Sequence, residues 1–252
     1  MSIWMGDLTR EEVAAIAPEG VAVLTISATE QHGDHLPLHT DWRIGSHITE
    51  GACRLLATEL PILACPVLPY GNSHHHFPWP TLSLRSETLI AVLKDLVDSL
   101  ARCGFRKVFI LNAHGGNDEA IRITARDLAR ELGITIGAAS YWTPAWNRLR
   151  ETLDRTAPQI TRVPGHAGDF ETSVMLAIEP ERVRMNRRSA VREDAPQHQE
   201  LRNRVFIQRP GNSVGLAGVS DDSRHADAET GAAAIEAVIE EVAAVLRSFH
   251  GG

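Results

Sequence analysis

The stretch VAVLTISATEQHGDHLPLHTD, Val21 to Asp41, changes character partway along. Its first seven residues are apolar and partly β-branched, with no strict alternation. Such a run suits a strand buried on both faces, as in a parallel sheet. From Thr29 to Asp41 the chain then gathers Glu30, His32, Asp34, His35, His39 and Asp41. In parallel α/β sheets, ligands bind beyond the carboxyl ends of the strands. The stretch therefore predicts an α/β fold class, and it names the sheet edge at which chemistry is to be sought.

Three further runs are of the same kind: PILACPVLP (Pro61 to Pro69), KVFILN (Lys107 to Asn112) and ITIGAAS (Ile134 to Ser140). Helical patterns lie between them. Thr9 and Glu12 form a capping-box signal for a first helix. Ile44 to Leu56 reads as a helix, as does Glu87 to Arg102 with Ser86 as its N-cap. Asp118 to Leu132 is stopped by Gly133. Asp169 to Ile178 ends before Pro180, and a last helix runs from about Ala226 to Phe249. Strands alternating with helices predict βαβ units and a parallel or mostly parallel sheet with helices on both faces. The polar segment Glu181 to Arg209 fits no element. With no repeat and no long linker, residues 1–252 read as a single domain.

The other runs also end in polar or aromatic groups. After Pro69 come Tyr70, Asn72, Ser73 and His74 to His76. After Asn112 come His114 and Asn117, and after Ser140 come Tyr141 and Trp142. Four strand ends converging in this way are the main argument for an active site.

The bulk numbers narrow the field. The chain has 252 residues, 43% hydrophobic and 23% charged, which is ordinary for a soluble enzyme. A net charge of −7 argues against non-specific nucleic-acid binding. No apolar run approaches the roughly 20 residues of a membrane span. MSIWMGDLTREE lacks the basic-then-apolar order of a signal peptide. Cys53, Cys65 and Cys103 have no CxxC spacing and read as reduced core residues of a cytoplasmic protein.

Glu30 and His32 are two apart, so in extended chain their side chains point the same way. Carboxylate with imidazole suits a borderline divalent ion such as Zn, Mn or Fe. Glu30, His32, Asp41 and His114 supply four ligands. Two metals sharing a carboxylate need about five, and GHAGDFETS offers Glu171 as the fifth. Such a centre generates hydroxide near neutral pH, and His166 would carry a proton to a leaving nitrogen. Blander readings stand beside these. Thr29 to Asp41 could be a solvated loop, Glu171 an acid favoured at a helix start, and His74 to His76 a solvated run. Trp142 could be core or lid. His35 and His39 read as supporting groups. GNSVG, Gly211 to Gly215, matches G-x-S-x-G, but it lacks the strand and helix a nucleophile elbow needs. No glycine-rich nucleotide motif follows a strand.

TEQHGDHLPLHTD, LPYGNSHHHF, NAHGGN and GHAGDFETS, in that order and spacing, resemble the motifs of the creatininase family of metal-dependent amidohydrolases. The resemblance runs from about Val21 to the C-terminal helix. It implies a three-layer α/β/α sandwich with a mostly parallel central sheet, two divalent ions per chain (Zn, Mn or Fe) and a homohexamer. Glu30 and His114 then resemble ligands of one metal, His32 a ligand of the other, and Asp41 the bridge. Ser73 matches a serine near the substrate, Trp142 a tryptophan gating the pocket, and His166 the catalytic histidine. Three departures separate this chain from creatininases proper. Gly116 stands where they carry a metal-binding glutamate, so Glu171 is the expected replacement. Arg162 stands near the place of a pocket tryptophan, where it could pair with a substrate carboxylate or phosphate. The usual FPGT reads FPWPT, Phe77 to Thr81. The expected activity is hydrolysis of a small cyclic or linear amide other than creatinine. The competing expectations are a formamide deformylase, a short-peptide peptidase, or a metal-binding protein without turnover.

Overall fold

A computed structural model describes residues 2–188, 218–220 and 222–252. Both GNSVG and most of the polar segment Glu181 to Arg209 lie outside the described residues. Strands β1 (Val21–Ile26), β2 (Ile62–Ala64), β3 (Lys107–Asn112) and β4 (Thr135–Ser140) form one sheet in the order β2-β1-β3-β4. Every pairing is parallel. In β1 all six residues are buried, as expected for a strand covered on both faces.

Alternate residues of β1 feed two separate cores. Val21 and Val23 pack with α2 (Thr40–Leu56), α5 (Trp142–Thr156), α6 (Asp169–Ile178) and α7 (Ala228–Gly251). Ala22, Leu24 and Ile26 pack with α3 (Ser86–Arg102), α4 (Asp118–Leu132) and the edge of α1 (Arg10–Ile16). This is the expected three-layer α/β/α sandwich. Among the described residues no helix is long and apolar enough to cross a membrane.

Local chemistry explains the agreements and the differences. Thr9 and Glu12 close the expected capping box, and Gly133 ends α4 in the left-handed conformation. Ser86 is not the N-cap of α3. Arg85 holds that position, and the Ser86 hydroxyl instead accepts from Asn72 Nδ2 at 3.1 Å. Helix α2 begins at Thr40 rather than Ile44, so Asp41 sits in its first turn, where the helix dipole favours an acid. Helix α7 begins at Ala228, with the Asp227 side chain accepting from Thr230 N. The run Pro61 to Pro69 forms a ladder only over Ile62–Ala64, because Pro66 and Pro69 have no N–H to give. It rejoins β1 at one bridge, Ile26 to Leu68. Helix α5 was not expected from the sequence. Cys53 and Cys65 are buried core thiols, but Cys103 is exposed behind α3.

Candidate metal centre

The polar loop after β1 folds back over the carboxyl end of the sheet. Glu30, His32, Asp41, His114, His166 and Glu171 are all buried there. His114 follows β3, and Asn112 holds it from both sides of its peptide unit. Asn112 Oδ1 accepts from His114 N at 3.0 Å, and Asn112 Nδ2 donates to His114 O at 2.7 Å. Glu171 comes from the first turn of α6, and Ala167 N donates to its Oε2 at 2.7 Å. Ala167 has φ +53°, a conformation rare for a residue with a side chain. His166 is thus presented by a loop held in an unusual backbone shape.

The ligand-type atoms fall into overlapping sets. Four sets of three can each bring one atom per residue within 4.8 Å of the others: Glu30, Asp41 and His114; His32, Asp41 and Glu171; Glu30, His32 and His166; and Glu30, His75 and His76. Asp41 belongs to the first two sets and turns a different oxygen to the histidine of each. Its Oδ1 lies 3.1 Å from His32 Nε2, and its Oδ2 lies 3.1 Å from His114 Nδ1. His114 Nδ1 is also 3.3 Å from Glu30 Oε1, and His32 Nε2 is 3.7 Å from Glu171 Oε2. Ligands held at about 2.0–2.2 Å around one ion stand about 3 Å or a little more apart. The spacings of the first two sets are close to that.

The far nitrogens of the two rings point the same way chemically. His32 Nδ1 donates to Glu30 O at 3.1 Å, and His114 Nε2 donates to Asn72 O at 2.9 Å. A carbonyl only accepts, so each ring keeps its proton there. The other nitrogen is left facing the carboxylates, where it offers its lone pair once an ion takes the place of its proton, which is how proteins prepare a metal-binding histidine. Glu30 Oε2 is buried with no hydrogen-bond partner among the described residues. The donor chemistry of these residues fits divalent metal ions.

Three buried carboxylates demand positive charge, and the titration behaviour records that demand. Burial pushes Glu30 up, but His114 and His76 outweigh it and hold the carboxyl well below its usual range. Burial opposes charging His32, yet Asp41 and Glu171 raise it to about 10. His114 is likewise raised against its burial, chiefly by Glu30. Glu171 is pushed up to about 8 by burial, with His32 pulling the other way. His166 is driven well below its usual range by burial and by the neighbouring His32.

The remaining expected residues lie around this core. Ser73 is buried, and its Oγ is 3.3 Å from His114 Nε2. Trp142 is half-buried at the head of α5, edge-on to Tyr141. It lines a cavity of about 410 Å³ with Thr143, Pro144, Trp146 and Asn147. Arg162 is half-buried and donates to Ser220 O. The histidine run divides: His74 is exposed on Ser83, His75 stacks on His114, and His76 is buried 3.1 Å from Glu30 Oε1. His35 donates to or accepts from Thr172 Oγ1 at 2.9 Å and stays off the ligand sets. A side chain at Gly116 would begin 2.1 Å from Asn72 O and 2.6 Å from His114 Nε2, so this chain has no room there.

Sequence reasoning passed over Gln31 and Asn112, and it named Tyr141 only as an aromatic group at a strand end. Tyr141 is buried, and burial together with Glu171 and Asp41 raises its pKa. Only the position of these residues beside the strand-end motifs hinted at a role.

Comparison with known proteins adds an independent observation. A family model described as "Creatininase: Creatinine amidohydrolase" matches residues 6–246. Creatinine amidohydrolase of Pseudomonas putida is 31% identical over 204 residues, covering 74% of this chain and 75% of the relative. The mycofactocin precursor peptide peptidase of Mycobacterium tuberculosis is 33% identical over 192 residues, covering 73% and 67%. Two solved structures, "Creatininase Mn" and a variant creatininase of "Zn-Zn type", superpose with TM-scores of 0.81 and 0.80. Each is 26% identical, with 98% of both chains covered.

Proposed function

The chain belongs to the creatininase family, and on that premise we propose that it is a metal-dependent amidohydrolase acting on a small cyclic or linear amide other than creatinine. The observation that carries the reading is Asp41, whose two oxygens face two different histidines at 3.1 Å each. In this reading Glu30, Asp41 and His114 hold one divalent ion, and His32, Asp41 and Glu171 hold the other. Zinc, manganese and iron all suit such donors. When bound, the ions supply a nucleophile from water at neutral pH and polarise the scissile carbonyl.

The chain's own residues do the rest. The backbone-anchored rings of His32 and His114 fix the donor atoms before any ion arrives, which lowers the cost of ordering the site. His166 is buried in a ligand-type set with Glu30 and His32, its ring 4.3 Å from that of His32. It is the group we assign to move a proton to the leaving nitrogen. Ser73, Trp142 and Arg162 are assigned to the substrate. Arg162 in place of an aromatic wall favours an amide that also carries a carboxylate or phosphate.

A peptidase reading is kept because the Mycobacterium tuberculosis relative cleaves a precursor peptide by its name. The Trp142–Trp146 cavity, open and partly aromatic, suits a peptide side chain. The full reading is a single-domain, cytoplasmic homohexamer; sedimentation of the purified protein tests the hexamer, and cell fractionation tests the location.

The test begins with metal content by mass spectrometry on protein purified without added metal or chelator. About two ions per chain are expected. A panel of lactams, N-formyl compounds carrying carboxylate or phosphate, and short peptides then separates the substrate classes. Hydrolysis that survives complete removal of metal would sink the proposal.

A further inference from the structure

We propose that Gln31 is a positioning residue that fixes which nitrogen of His166, and of His76, carries the proton. The inference rests on the reading of His166 as the proton carrier. Gln31 is buried between Glu30 and His32 in the chain, two residues of the ligand sets. Its Oε1 accepts from Gly33 N at 2.9 Å. A backbone N–H can only donate, so this bond settles the orientation of the carboxamide. The Nε2 end then faces two rings, with His76 Nδ1 at 2.8 Å and His166 Nε2 at 3.0 Å.

An amide nitrogen can only donate, so both ring nitrogens must accept. Each neutral ring then keeps its proton on the far nitrogen. For His166 that is Nδ1, which lies 3.7 Å from Glu30 Oε1. For His76 it is Nε2, 3.1 Å from the same oxygen. One carboxamide thus aims two N–H groups at the ligand cluster. The direction is opposite to that of His32 and His114, which keep their fixed proton on the backbone side and turn the other nitrogen to the cluster as a ligand atom.

The seat of the carboxamide is built for it. Gly218 has φ +69°, and a Cβ there would lie 2.3 Å from Gln31 Oε1. Two residues on, Ser220 N donates to His166 O at 3.0 Å. The segment 218–220 therefore braces both the amide and the histidine it orients.

The test reads the tautomers directly. Wild type, Gln31→Glu and Gln31→Met are labelled with 15N-histidine, loaded with zinc and examined by magic-angle-spinning NMR. His166→Gln and His76→Gln assign the signals. In the wild type, His166 Nε2 and His76 Nδ1 are expected to be unprotonated. A carboxylate at position 31 accepts rather than donates, so Gln31→Glu should protonate both of those nitrogens. Gln31→Met, with no donor, should give a mixture. On an amide found by the panel, Gln31→Met should lower kcat about tenfold to a hundredfold with KM held within about twofold, the mark of misplacement rather than weaker binding. Protonated His166 Nε2 in the wild type, or identical spectra in all three proteins, overturns the proposal. Metal content on the same samples is read separately, so failure of the dimetal reading is not mistaken for failure of this one.

Discussion

Two pairs of histidines meet at the carboxyl end of this sheet, and they are wired in opposite senses. His32 and His114 are tied through one ring nitrogen to backbone carbonyls, and they turn the other towards Asp41. His76 and His166 are tied to the Gln31 carboxamide. A carbonyl accepts and an amide nitrogen donates, so with an ion in place the first pair presents lone pairs and the second presents N–H groups. The difference teaches that the anchor of a histidine, more than its distance from an acid, sets which ring nitrogen is left to face the cluster. Burial does not separate the pairs, because all four rings are buried.

Asp41→Ala is the hardest blow to the first pair, since it removes the residue common to the two proposed ion sites. Metal content should fall from about two ions per chain to nearly none. Hydrolysis should drop about a thousandfold or more, because metals supply several kcal/mol of transition-state stabilisation. A variant that keeps both ions would mean that Asp41 does not bridge. His166→Gln strikes the second pair. It should cost about 10²- to 10⁴-fold in kcat, the usual share of a proton-transferring group, while metal content stays at the wild-type level. Loss of metal in this variant would place His166 with the first pair and erase the contrast.

Asn117→Ala probes the anchor rather than the ring. Asn117 Oδ1 accepts from Asn72 N at 2.9 Å, and Asn72 O holds His114 Nε2. Asn117 Nδ2 also donates to Ser27 O at 3.2 Å, tying the scaffold to the end of β1. Removing such an outer support should weaken metal affinity about 10- to 100-fold. It should also cost about 1–3 kcal/mol of stability through buried groups left unpaired. Competition with a chelator and denaturant melts measure the two effects. Unchanged affinity would mean that the carbonyl is held in place without its side-chain brace.

The contrast between the pairs was only half legible in the sequence. Strand β3 and helices α4 and α6 stand where apolar pattern, Gly133 and Pro180 put them, because those signals are local. Glu30 and His32 stood out because acids and histidines crowd one strand end. Gln31 lay between them and was silent. Its partners, His76 and His166, are 45 and 135 residues away, so no spacing rule could pair them. His76 was masked by its neighbours, since three adjacent histidines look alike in sequence and differ only in burial. Helix α5 carries Trp142, Pro144 and Trp146 in its first turns, and its polar character hid the buried stripe of Ala145, Leu149 and Leu153. In β2, a proline inside an apolar run shortened the strand that the hydrophobicity alone suggested.

Ser73→Ala is expected to have the smallest effect, and it tests how completely the backbone carries the first pair. Ser73 Oγ is 3.3 Å from His114 Nε2, whereas Asn72 O is 2.9 Å from the same nitrogen. The shorter contact to the carbonyl should already satisfy the ring N–H, leaving the hydroxyl to the substrate. Metal affinity should therefore change by no more than about 0.5 kcal/mol, as for most substitutions away from a critical contact. KM should rise several-fold, matching the loss of one neutral hydrogen bond worth about 0.5–1.5 kcal/mol. If metal is lost instead and KM is unmoved, the serine is part of the anchor. The rule that a carbonyl alone fixes the ligand tautomer would then hold for His32 and fail for His114.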